Sequence, residues 1–128
     1  MILVIDDEEL IRESIQDILD LSGIQTICAA DGPTGIELFK AKRPAIQAIL
    51  LDMMMPMMSG TETLRRIREV DPHIRVILSS GYNERETRAR FDNDQEVIFL
   101  QKPYPIDTLI SKVREALGPQ PEILSSSR

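Results

Sequence analysis

The stretch LLDMMMPMMSG, residues 50–60, begins as an apolar run and breaks at a single acid, Asp52, set among five methionines and a proline and closed by a glycine. The leucines read as the end of a buried strand. A lone carboxylate at that point asks for partners. They lie far off in the chain: Asp6 and Asp7 upstream, Lys102 downstream.

Four other short apolar runs resemble residues 48–51: Ile2 to Ile5, Thr26 to Ala30, Val76 to Ser79 and Val97 to Leu100. Their length and β-branched content favour strand over helix. Between them the apolar spacing turns helical. Ile11, Ile15, Ile18 and Leu19 share one face, as do Leu64 and Ile67. Ile106, Leu109, Ile110, Val113 and Leu117 form the clearest stripe. Gly23, Pro44, Pro72 and Gly118 mark helix ends. The segment Glu84 to Arg90 is nearly all charged, with Phe91 as its obvious anchor, and predicts the weakest helix. Five strands alternating with five helices predict an α/β fold, a mostly parallel sheet covered on both faces.

At 128 residues the chain suits one domain with a substantial core. We expect it over residues 1–117, with the Pro- and Ser-rich stretch 118–128 as a linker or disordered tail. The net charge of -6 argues against a nucleic-acid surface, which needs clustered Lys and Arg. One cysteine, Cys28, cannot form an internal disulfide, which fits a reducing compartment, and in its apolar run it reads as a small core residue. No run approaches a membrane span and no signal peptide precedes Ile2. A cytoplasmic protein without a membrane partner is expected.

In open parallel α/β sheets, ligands bind beyond the carboxyl ends of the strands. The residues just past each run are Asp6-Asp7, Asp52, Ser79-Ser80-Gly81 and Lys102-Pro103. Three carboxylates at about 4 Å in an effective dielectric near 20 repel by roughly 4 kcal/mol per pair. A hard divalent cation with oxygen ligands relieves this, and Mg2+ takes a few carboxylates plus waters and phosphate oxygens. Lys102 suits a phosphoryl group, and Ser80 can donate a hydrogen bond to it. These are parts used in phosphoryl transfer. Asp52, central in the sheet, is the candidate nucleophile and would form an aspartyl phosphate.

VIDDEE (4–9), LLDMMMPMMSG (50–60), ILSSGY (77–82) and FLQKPY (99–104), in this order and spacing, resemble the receiver domain of two-component response regulators, the CheY-like superfamily. The resemblance covers Met1 to Leu117. It implies a five-stranded parallel sheet of flavodoxin-like order 2-1-3-4-5 with helices on both faces. It implies that Asp52 accepts a phosphoryl group from a phosphohistidine of a sensor histidine kinase or phosphotransfer domain. Asp7, Asp52 and the Met54 carbonyl would hold Mg2+, or Mn2+ in its place, and Asp6 would act through a bound water. Lys102 would pair with the phosphoryl oxygens. Ser80 would shift toward them and Phe99 would turn inward, altering the surface from helix 4 to helix 5 that an output partner reads. The Lys102–Pro103 peptide would be cis. A receiver from a hybrid histidine kinase or a longer regulator is expected, not a turnover enzyme.

Blander readings stand beside these. Asp6-Asp7 can be a helix cap, Ser80 a turn residue, and Ser79 the wanted hydroxyl by one register. Phe99 can be plain core, the methionines flexible packing, and His73 an exposed loop residue. A dehalogenase-like phosphatase wants a second acid at position 54, which is Met. A flavodoxin-like nucleotide site wants a Ser/Thr/Gly-rich loop after strand 1, where DDEE stands. The main alternative is a receiver-like module that binds a partner and is never phosphorylated. FDNDQE (91–96) departs from the small residues relatives carry before strand 5, which bears on the output face.

Overall fold

A computed structural model describes residues 1–91 and 93–118; from residue 119 onward the expected tail lies outside them. The elements are β1 (Ile2–Ile5), α1 (Glu9–Leu21), β2 (Thr26–Ala29), α2 (Gly32–Lys42), a 3-10 turn (Arg43–Ala45), β3 (Ala48–Asp52), α3 (Gly60–Val70), β4 (Arg75–Ser80), α4 (Glu84–Arg90), β5 (Val97–Gln101) and α5 (Ile106–Leu117). The strands form one sheet in the order β2-β1-β3-β4-β5, and all four pairings are parallel. This is the expected flavodoxin-like architecture. Three strands run further than expected: β3 includes Asp52, β4 extends to Arg75 and Ser80, and β5 reaches Gln101, while β2 ends one residue early at Ala29.

Side chains alternate across the sheet, which builds two cores. Leu3, Ile5, Ile49, Leu51, Leu78 and Phe99 pack under Ile36 and Phe39 of α2 and Leu64 and Ile67 of α3. Ile2, Val4, Leu50, Ile77 and Leu100 pack under Ile15 and Leu19 of α1 and Leu109 and Val113 of α5. Helices cover both faces, so the strand interiors read as continuous apolar runs rather than alternating ones.

Local chemistry fixes the helix starts. Ser59 caps α3 by accepting from Glu62 N–H, half of a capping box. Asp31 caps α2 by accepting from Thr34 N–H. The short α4 holds through Asn83, which accepts from Glu86 N–H, and through acids in its first turn and Arg88 and Arg90 in its last, an order that suits the helix dipole. Its buried residue is Thr87, which the charge pattern does not reveal, while Phe91 packs at the core edge. One expectation fails: Ile106, assigned to the apolar stripe of α5, is 59% exposed. It is the first residue of the helix, and the buried stripe is Leu109, Val113 and Ala116.

Candidate functional site

The carboxyl ends of β1 and β3 meet side by side at the switch point between the strands. The Asp6 N–H still bonds to Ala29 O of β2, which continues the ladder past β1. Its Oδ1 accepts from Glu8 N–H at 2.9 Å, and its carbonyl accepts from Arg12 Nη1 at 2.8 Å. Arg12, in the first turn of α1, thus staples the acidic turn from behind. No motif announces that role beyond a basic residue one helical turn past the acids.

Asp6, Asp7 and Asp52 each offer a carboxylate oxygen within 4.8 Å of the others. Asp6 and Asp52 are buried and Asp7 is exposed, so the cluster has an enclosed floor and an open rim. Burial raises the Asp6 carboxyl above its usual range; the Glu8 N–H opposes this and the Asp52 charge adds to it. Carboxylates this close fit a hard divalent cation, which prefers oxygen donors.

Asp52 Oδ1 accepts from Met54 N–H at 3.0 Å and from Lys102 Nζ at 3.1 Å. Burial pulls the Lys102 ammonium down, but the hydrogen bond and charge of Asp52 outweigh it, and its pKa stands raised. The Lys102–Pro103 peptide is cis. Gly60, at the start of α3, lies so close to the strand end that an added Cβ would come 2.5 Å from Met53 Cα and 2.8 Å from Asp52 O. Only a residue without a side chain lets α3 approach the end of β3 this closely.

Ser80 is buried, and its Oγ accepts from Tyr82 N–H at 3.0 Å. Among the described residues no hydrogen bond joins this hydroxyl to Asp52 or Lys102, although the Ser80 carbonyl accepts from Lys102 N–H at 2.7 Å. It succeeds Val76 and Leu78 in the alternation, which places it on the α2–α4 side, as Phe99 is. Phe99 is 5% exposed and covered by the Arg88 guanidinium, 4.7 Å from the ring centroid, a cation–π contact. Ser79 faces the other way, toward the α1/α5 side where Tyr104 packs. Neither Tyr104 nor Arg88 stands out in the sequence, because each role depends on which face its neighbour joins. His73 is an exposed loop residue and Cys28 is half-buried.

No helix among the described residues is long and apolar enough to cross a membrane. Residues 2–114 match a family model described as the response regulator receiver domain. Sporulation initiation phosphotransferase F of Bacillus subtilis (strain 168) is 32% identical over 116 residues, which cover 91% of this chain and 92% of that protein. Regulatory protein AtoC of Escherichia coli (strain K12) is 33% identical over 116 residues; the match covers 91% of this chain but 25% of AtoC, so the chain spans about a quarter of that regulator. The CheX-CheY-BeF3-Mg2+ complex from Borrelia burgdorferi contains a chain 27% identical, with a TM-score of 0.80 over 88% of this chain and 84% of that one. The chain belongs to the response regulator receiver domain family.

Proposed function

We propose that residues 1–117 are a phosphorylatable receiver in which Asp52 takes a phosphoryl group from the phosphohistidine of a sensor kinase or phosphotransfer domain. The observation that carries this reading is the Asp52 carboxylate itself. One oxygen is held by Met54 N–H and Lys102 Nζ, which orients the other for attack. In the transfer, an Asp52 oxygen bonds to phosphorus as the phosphorus–nitrogen bond breaks, and the electron pair leaves with the imidazole. Lys102 neutralises charge on the transferring oxygens, the main demand of phosphoryl transfer.

Asp7, Asp52 and the Met54 carbonyl are the groups that would hold Mg2+, or Mn2+ in its place, with Asp6 acting through a water. A bound cation supplies charge neutralisation for the carboxylates and the incoming phosphoryl group. The CheY relative in a complex with BeF3 and Mg2+ supports this choice of metal. The protein promotes its own phosphorylation and is not a turnover enzyme.

Phosphorylation adds about 1.5 to 2 negative charges at one point. Ser80 then exchanges its bond from Tyr82 for one to the phosphoryl group, and Phe99 and its Arg88 cover respond. The α4–β5–α5 surface changes shape, which biases a two-state equilibrium read by an output partner. A cytoplasmic setting suits such a relay.

Intact mass after incubation with Mg2+ and acetyl phosphate, or with a phosphorylated kinase, tests the reading. One added phosphoryl group on wild type, lost without Mg2+ and absent from Asp52→Asn, is the expected result. No adduct from either donor at short times would leave a partner-binding module in its place.

A further inference from the structure

The strand β4 ends in two serines, and the proposed function uses only Ser80. Ser79 is the register partner of Asp52 in the neighbouring parallel strand, and Met53 N–H bonds to its carbonyl at 3.0 Å. Register partners present their side chains on the same face, and adjacent strands lie about 4.8 Å apart. That is within reach of a serine-to-aspartate hydrogen bond. Ser79 is 3% exposed, and its Oγ is the one buried side-chain polar atom among the described residues that lacks a hydrogen bond. An unpaired buried hydroxyl is costly, and an apolar residue would fill the position without that cost.

Tyr104 lies on the same face. It packs against the α1/α5 core, and its phenol feels Lys102, Asp6, Asp52 and Ser79 together. Only Pro103 separates Tyr104 from Lys102, so whatever fixes the phenol also fixes the backbone that carries the ammonium.

We infer that Ser79 and Tyr104 form a second hydroxyl pair of the site, a positioning pair that sets Lys102 against Asp52 from the α1/α5 side. A turn of Ser79 about χ1 sends its hydroxyl proton either to the Tyr104 phenol oxygen or to the Asp52 carboxylate. The relay requires no new backbone position, since a staggered rotamer change suffices. It rests on the reading of Asp52 as the acceptor.

The test uses whichever donor labels wild type. Ser79→Ala and Tyr104→Phe are each expected to slow phosphorylation three- to tenfold, and the double variant to be no slower than the worse single one, because both act through one path. Ser79→Thr, which keeps the hydroxyl, restores most of the rate. A spectroscopic readout separates positioning from packing. The chain has two tyrosines and no tryptophan, so a Tyr82→Phe background leaves Tyr104 as the sole emitter. Its emission should change on adding Mg2+ with beryllofluoride and should lose that response in Ser79→Ala. Wild-type rates in both variants with an unaltered Tyr104 response would reduce Ser79 to a core defect and overturn the pair alone. Absence of any adduct on wild type would remove the proposed function and the pair with it.

Discussion

Lys102 Nζ stands 3.1 Å from Asp52 Oδ1, joining residues 50 apart in sequence across the intervening strand β4. Asp52 is 2% exposed and Lys102 29% at their side chains, so the pair is partly screened. Removing one partner of a fully buried pair costs about 3–5 kcal/mol; discounted for solvent at Lys102, Lys102→Met should cost about 1–2 kcal/mol. In an Asp52→Asn background the same change should cost less than half as much. Urea unfolding of the four proteins checks the coupling.

Asp6 supplies the pH dependence. Burial, with the Asp52 charge, raises its folded pKa, so the folded state holds this proton more tightly than the unfolded chain. The stabilisation is fully present below the usual carboxylate value of 3.8 and is lost as pH rises through the folded pKa. At pH 7 without Mg2+, Asp6→Asn should therefore be more stable than wild type by about 1 kcal/mol, with the gap closing on acidification. Millimolar Mg2+ should raise the melting temperature of wild type and do so less in the variant. Melts across pH, with and without the cation, measure both effects.

Gly60→Ala should be among the most damaging single changes. The new Cβ meets Met53 Cα, Met53 C and Asp52 O, all backbone atoms with no side-chain freedom to yield. We expect a loss of about 2–4 kcal/mol and slower labelling of Asp52, because the helix retreats from the acceptor strand. Gly81→Ala, where an added Cβ meets nothing, is the control. Denaturant midpoints and the phosphorylation rate check the contrast.

Met57 carries the opposite sign. Its φ is +66, a left-handed conformation that costs a non-glycine residue about 1–2 kcal/mol, and its side chain is 94% exposed. Met57→Gly should relieve the strain without opening a cavity. Glycine's greater freedom in the unfolded chain offsets part of that gain. A net stabilisation of about 0.5–1 kcal/mol is expected in urea.

The fold is legible because strand and helix periods differ and the runs are short and separate. The acids, the hydroxyl and the lysine are the residues that stand immediately past the runs, and locating them needs only the strand order. Faces are harder to read. Ser79 and Ser80 differ by one residue, and a period of two sends them to opposite sides of the sheet. Only the pairing of β4 with β3 and β5 shows that Ser79 stands beside Asp52 while Ser80 shares the face of Leu78 and Phe99.

Local pattern in the chain therefore sets the elements, their parallel arrangement and the convergence of Asp6, Asp7, Asp52 and Lys102 at one edge, since these come from periodicity and the topology it allows. Three-dimensional packing settles that Arg12 holds the acidic turn, that Arg88 covers Phe99, that Ile106 is left in solvent and that Ser79 is buried unpaired. Each of these concerns residues whose distance in space is set by strand register and helix packing, quantities that no local pattern encodes.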